Sequence, residues 1–234
     1  MANNWDSLAY KIGGLSEIEA LRLLAETYPG EVVFSSSFSF EDQAITHMIL
    51  SEGLPIEIFT LDTGRLFKET YSVWSSTNER YHTHIKPYYP AHADLESFVE
   101  KEGPNAFYIS PELRKQCCFL RKVEPLGRAL KGKKVWITGL RAEHSQSRQA
   151  MEQLEWDGSH EILKYHPILH WTTDQTRAYI NQHNIPYNSL HDKGFVSIGC
   201  EPCTRAIRPG EDFRAGRWWW EDNSKKECGL HVHA

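Results

Sequence analysis

Five cysteines, arranged as two plus two plus one, are the residues of this 234-residue chain best equipped for chemistry. Cys117 and Cys118 are adjacent, Cys200 and Cys203 form a C-x-x-C, and Cys228 stands alone behind Lys225 and Lys226. Four thiols in two pairs complete a four-thiolate site. The fifth, beside two lysines that lower its pKa and ahead of Gly229, is placed as a nucleophile. Structural zinc usually takes two C-x-x-C-like hooks, because adjacent cysteines point away from each other and chelate one ion poorly. A cubane offers separate irons to separate thiolates, so the adjacent pair favours an iron–sulfur cluster, with zinc as the rival. Buried structural cysteines would leave the pairing unexplained. For Cys228 the plain alternative is a spare thiol on a fraying tail.

An anion site surrounds these thiols in sequence. Arg205, Arg208, Arg214 and Arg217 follow the C-x-x-C, and Arg141 and Arg148 sit with Gly139 and Ser145 in a polar, basic stretch. The planar arginine fork suits phosphate and sulfate, although arginines on loops are commonly just solvated. Ser35-Ser36-Ser37 lies between an apolar segment at 31–34 and an amphipathic one carrying Ala44, Ile45, Met48 and Ile49. Strand, small-residue loop and helix bring free N–H groups and the positive helix end onto an anion. The loop has neither the lysine of a Walker sequence nor a G-x-G-x-x-G, and serine-rich turns without a ligand are common. Asp62-Thr63-Gly64, at the end of a second apolar segment, either faces a nucleotide or caps the next helix, and the two roles are compatible. Trp218-Trp219-Trp220 reads as core or interface ahead of a lid over a ligand.

The elements that must position these groups alternate. Strands are expected at 31–34, 56–61, 84–89, 133–138 and 162–168, the last broken by Pro167. Helices are expected after Ser16-x-x-Glu19, after Ser37, over 66–79 and 95–102, from Cys117-Cys118 through Leu120, Val123 and Leu126, and after Thr172-x-x-Gln175. Residues 151–160 read as a polar surface loop. The alternation argues for an α/β domain with a parallel sheet. The expected division is an N-terminal helical segment at 1–30, a nucleotide-binding α/β domain at 31–195, and a tail at 196–234 carrying cluster ligands, arginines and Cys228. A net charge of -5 and a pI near 6.2 give no reason to expect a nucleic-acid partner. No apolar run approaches the roughly 20 residues that span a bilayer, and the N-terminus lacks a signal pattern. A cytoplasmic protein with reduced thiols follows as an expectation. The histidine pairs His82/His84 and His231/His233 read singly as surface or core residues.

Together, these pieces resemble the assimilatory adenylyl-sulfate reductases and their phosphoadenylyl-sulfate relatives. The matching stretches are residues 35–42, Leu61-Asp62-Thr63-Gly64, Cys117-Cys118 with Arg121-Lys122, and Thr138-Gly139-Leu140-Arg141 with Ser145 and Arg148. Cys200-Glu201-Pro202-Cys203, residues 214–220, and residues 225–231 complete the set, in family order. The resemblance implies a Rossmann-like adenine nucleotide alpha-hydrolase domain with a mostly parallel sheet and a mobile C-terminal tail. It implies a 4Fe-4S cluster on Cys117, Cys118, Cys200 and Cys203, and Cys228 as nucleophile, with Lys122 and His231 counted among the catalytic residues. Ser35, Ser36 and Ser37 would line the phosphate loop, Leu61 and Gly64 the nucleotide pocket, and Arg148, Arg214 and Arg217 the phosphosulfate. Asp62, Thr63, Arg121, Gly139 and Arg141 join the substrate-binding set. The implied reaction is thiol-dependent reduction of adenosine 5'-phosphosulfate to sulfite and AMP, with thioredoxin or glutaredoxin as donor. The alternatives are the 3'-phosphorylated substrate or dual specificity, an ATP-pyrophosphatase of the same fold, and a non-catalytic zinc- or cluster-binding redox module. The resemblance also allows a homo-oligomer.

Overall fold

A computed structural model describes residues 5–144 and 148–221. Two helices precede the sheet, α1 (Asp6–Ile12) and α2 (Glu17–Thr27), the second opened by a reciprocal capping box between Ser16 and Glu19. Strand β1 (Val32–Ser35) leads into α3 (Phe40–Ser51), β2 (Glu57–Leu61) into α4 (Lys68–Tyr81), and β3 (Lys86–Tyr88) into α5 (His92–Glu102). Next come α6 (Pro111–Cys118), a π-helical turn over Phe119–Val123, and α7 (Glu124–Leu130). Strands β4 (Val135–Ile137), β5 (Leu154–Asp157) and β6 (Ile162–Tyr165) complete one six-stranded sheet, and α8 (Thr173–Gln182) follows.

The strand order is β3-β2-β1-β4-β6-β5, parallel throughout except for the antiparallel edge pair β5 and β6. From β1 the chain winds outward through β2 to β3, and from β4 it continues on the other side, first to the edge strand β5 and then back to β6 beside β4, so the order reverses between β1 and β4. Val32, Phe34, Ile137 and Tyr165 on one sheet face pack with Ile45, Met48 and Ile49 of α3 and Leu21 and Leu24 of α2. Each such side chain, fully buried, contributes roughly 1.5–3 kcal/mol. Among the described residues no helix is long and apolar enough to cross a membrane.

Four expectations change at this level. Cys117 and Cys118 end a helix instead of opening one, because Ser110 caps α6 seven residues earlier, accepting from Leu113 N–H with Pro111 at the first helical position. Residues 151–160 are not simply a surface loop: Leu154 and Asp157, both buried, sit in an edge strand whose polar composition hides the pairing with β6. Strand β6 stops at Tyr165, before Pro167, whose ring nitrogen has no hydrogen for the ladder. Helix α4 begins and ends two residues later than the pattern suggests.

Arg141 is the tie between the two ends of the molecule's polar interior. Its side chain is 1% exposed, and it donates to Glu41 through Nε and Nη2 at 3.0 and 2.9 Å. It also donates to Glu143 at 2.5 Å, to the Trp171 carbonyl at 3.0 Å and to Thr173 Oγ1 at 3.0 Å. The first turn of α3, the loop after β4 and the start of α8 are thereby joined through one guanidinium. Replacing Arg141 by Met leaves the buried Glu41 carboxylate uncompensated, which should lower stability by about 3–5 kcal/mol and Tm by on the order of 10 °C. Thermal unfolding of the variant measures this, and a Tm within a degree or two of the parent would show the guanidinium to be a solvated surface group.

Candidate active site

The reversal of strand order opens a crevice beyond the carboxyl ends of β1 and β4, where open parallel sheets bind ligands. A cavity of about 250 Å³ occupies it. Ser35, Ser36 and Ser37 form one wall, Leu61 and Thr63 a second, and Thr138 and Gly139 a third, while Arg148, Arg214 and Arg217 bring positive charge from outside the sheet. The serine loop is fixed on both sides. Ser35 Oγ accepts from Trp136 Nε1 at 2.8 Å, and Ser37 donates from both its N–H and its hydroxyl to Asp42, each at 2.6 Å. Asp42 sits in the first turn of α3, and burial pushes its carboxyl up to about 6 against the two Ser37 hydrogen bonds. Phe38 adopts φ +60, a left-handed backbone unusual for a bulky residue, and its N–H donates to Ser36 Oγ. Gly139 has a different constraint: a Cβ there would lie 2.2 Å from Asp42 Oδ1, so only glycine lets β4 approach the loop anchor.

Beside this cavity lies a second pocket, where all four predicted ligand cysteines meet. Cys117 and Cys118 come from the end of α6, and Cys200 and Cys203 flank a 3-10 turn over Glu201–Cys203. Cys118, Cys200 and Cys203 are buried with Phe107 and Trp218, and Cys117 and Trp220 pack against them. The π-helical turn directly after Cys118 places Arg121 and Lys122 in the pocket wall. Burial raises Cys117, and burial with the neighbouring Cys200 pushes Cys203 up to about 12. Burial acts in the same direction on Cys200, but Lys122, a hydrogen bond to Thr63 Oγ1, Arg217 and Arg121 together hold it below the ordinary thiol value. Among the described residues no group of three or more His, Cys, Asp or Glu is arranged to hold a metal ion. The four side chains are thiols, the donor type that both zinc and iron–sulfur groups take.

Three residues, Lys122, Cys200 and Trp218, line both the cavity and the thiol pocket. Other predicted residues stand elsewhere. Arg141 is buried in its carboxylate cage and Arg121 belongs to the thiol pocket, where Nη1 donates to the Thr63 carbonyl. Asp62 is not a cavity-wall residue; its carboxylate accepts from Gly64 N–H and Tyr71 O–H, each at 2.8 Å, which shapes the turn carrying Thr63 and Gly64. Gly64, at φ +68, supplies the left-handed turn position. Ser145, Cys228 and His231 lie outside the described residues. Sequence reasoning missed Asp42, Glu41 and the 196–199 segment as cavity walls. The one sequence signal at Glu41 and Asp42 is acidic residues in a helix first turn, which ordinarily means helix stabilisation, and residues 196–199 carry none.

Residues 31–206 match the family model described as the phosphoadenosine phosphosulfate reductase domain. A Burkholderia cepacia protein named adenosine 5'-phosphosulfate reductase is 50% identical over 202 residues, covering 86% of this chain and 81% of its own. One of the same name from Sinorhizobium fredii NGR234 is 49% identical over 222 residues, covering 95% and 88%. The structure of a phosphoadenylyl-sulfate reductase from Candida auris, a phosphate complex, superposes with a TM-score of 0.75 at 29% identity, over 88% of this chain and 98% of that one. Candida glabrata FMN adenylyltransferase shares the fold alone, with a TM-score of 0.57 at 14% identity over 97% and 80% of the two chains. The chain belongs to the phosphoadenosine phosphosulfate reductase family.

Proposed function

We propose that the protein reduces adenosine 5'-phosphosulfate to sulfite and AMP in assimilatory sulfate reduction. The observation that carries this reading is the common wall: Lys122, Cys200 and Trp218 separate a switch-point cavity bearing three arginines from a pocket of four cysteines. A nucleotide site alone would not need the thiols, and a redox module alone would not need the serine loop and arginines. Relatives near 50% identity carry the name adenosine 5'-phosphosulfate reductase, which favours that substrate over the 3'-phosphorylated one.

In this reading Ser35 to Ser37 and the open end of α3 hold the nucleotide phosphate, and Arg148, Arg214 and Arg217 neutralise the phosphosulfate. Cys228 thiolate attacks the sulfur in line with the P–O–S bridge. The S–O bond breaks, AMP leaves with the electron pair, and the sulfonate remains on Cys228 as S-sulfocysteine. A donor dithiol of the thioredoxin or glutaredoxin type then takes over: one thiolate attacks Cys228 Sγ, the S–S bond breaks and sulfite leaves with its electron pair, and the second thiol resolves the mixed disulfide, releasing Cys228 as thiolate and leaving the donor oxidised by two electrons. Glu221, the last described residue before Cys228, is anchored by Arg114 at 2.6 Å. Cys228 follows that anchor by seven residues, which span at most about 25 Å when extended. Cys117, Cys118, Cys200 and Cys203 would hold a 4Fe-4S cluster. When bound, it supplies fixed charge beside Lys122, and no electron need pass through it because both come from thiols.

Intact mass of anaerobically purified protein, incubated with adenosine 5'-phosphosulfate and no donor, should show one added SO₃ on Cys228 that a dithiol protein removes. The same adduct from the 3'-phosphorylated nucleotide would widen the specificity; no adduct from either, on cluster-loaded protein, would overturn the reductase reading. Lys122→Ala should lower turnover by about 100-fold, the scale of a lost charge-stabilising donor, with iron and sulfide content unchanged. Parallel loss of cluster and turnover would reduce Lys122 to a structural support.

A further inference from the structure

Trp218 is almost fully enclosed, at 1% exposure, yet it stands in the wall of both cavities. Three guanidinium groups surround its ring. Arg114, Arg217 and Arg214 place Cζ at 4.5, 5.0 and 5.7 Å from the ring centroid. Each lies within the roughly 6 Å over which an aromatic face attracts a cation, and tryptophan does so most strongly. The three are not equivalent. Arg114 faces the Glu221 carboxylate and lines only the thiol pocket, whereas Arg214 and Arg217 line the nucleotide cavity.

Two further features serve this arrangement. Trp218 holds φ at +42, a left-handed backbone that a bulky side chain avoids without compensation, and its N–H is pinned to the Cys203 carbonyl at 3.1 Å. The inward turn puts the ring under the arginines while the next tryptophan, Trp219, is 40% exposed. On the opposing segment, a Cβ at Gly199 would lie 2.3 Å from Arg217 Nη2, so a side chain there would displace this guanidinium from its place. A free arginine side chain loses rotamer entropy when a ligand fixes it, whereas a stacked one has already lost it before a ligand arrives.

We propose that Trp218 is a positioning residue that stacks Arg214 and Arg217 in the orientation that receives the anionic end of the nucleotide. The proposal rests on the nucleotide reading of the cavity. Its consequence is selective: loss of the aromatic face should weaken binding of the phosphate-bearing part of a ligand and leave binding of the nucleoside part alone. A merely structural tryptophan would weaken both.

The test uses the full, anaerobically purified chain and titrates AMP and adenosine by calorimetry, with Tm and thiol-pocket iron content checked for each variant. The readout is the ratio of the two affinities. Trp218→Met, which keeps an apolar side chain without a ring, should shrink the AMP preference by about 10-fold, and Trp218→Phe, with a weaker ring, by about 3-fold. An unchanged ratio in either variant overturns the proposal, as does an equal loss for AMP and adenosine. If the Met variant does not fold, the Phe variant decides by the same ratio. Wild-type protein that binds neither AMP nor adenosine would sink the nucleotide reading and this proposal with it, whereas wild type that prefers AMP with variants that keep that preference sinks the proposal alone.

Discussion

Buried positive charge is what this structure has to manage. Arg114, Arg121, Lys122, Arg141 and Arg217 are all buried, and a buried cation is tolerated only where negative charge or hydrogen-bond acceptors meet it. Arg141 and Arg114 are matched by carboxylates of the protein itself, Glu41 with Glu143 and Glu221. Lys122 and Arg217 line the cavity beyond β1 and β4, and both lower the thiol Cys200. Arg141 and Arg114 fasten helices and loops around the crevice, while Lys122 and Arg217 bring positive charge to its wall.

The legible part of the fold was the alternating pattern. Short apolar segments before polar loops, and capping boxes at Ser16 and Thr172, mark β1, β2, β4, α2 and α8 with little ambiguity. The misplaced parts have a common cause, in that local pattern cannot see a partner strand or a change of helical pitch. Edge strand β5 exists because Leu154 to Asp157 pairs with β6, and its four residues alternate too briefly to mark a strand, with burial falling on the ends, Leu154 and Asp157. The widened turn at Phe119–Val123 interrupts what reads as one continuous helix, and it re-aims Arg121 and Lys122 into the thiol pocket.

At the site, residue types were more legible than residue contacts. Convergence of the four cysteines could be expected from their pairing, but the separation of the arginines could not. Arg141 and Arg148 look alike in sequence, on one basic stretch. One is enclosed by Glu41, Glu143 and Thr173, and the other lines the cavity, because Glu41 lies 100 positions away in the chain. Backbone strain was equally hidden. Phe38 and Trp218 take left-handed conformations with no glycine to announce them, and the compensation comes from packing and from single hydrogen bonds to Ser36 and Cys203. Gly139 and Gly199 are the reverse case: unremarkable in sequence, each marks a close approach, to Asp42 and to Arg217.

A fold alone does not determine a reaction, so the chemistry is carried by the side chains around the crevice. Two stretches outside the strands build the thiol pocket: the end of α6 with its widened turn, and the segment from Gly199 to Glu221. Cys200 bridges to Leu66, and Glu201 N–H donates to the Arg65 carbonyl at 2.8 Å, so the second stretch is stitched to the loop after β2. The wall shared by the cavity and the thiol pocket is therefore built from parts fastened to the loop after β2. Thr63 ties the two together, because its hydroxyl accepts from Cys200 and its carbonyl accepts from Arg121. A shift of that loop would be felt in the thiol pocket, and a change in the pocket would be felt at the cavity wall, so cavity and pocket form one mechanical unit.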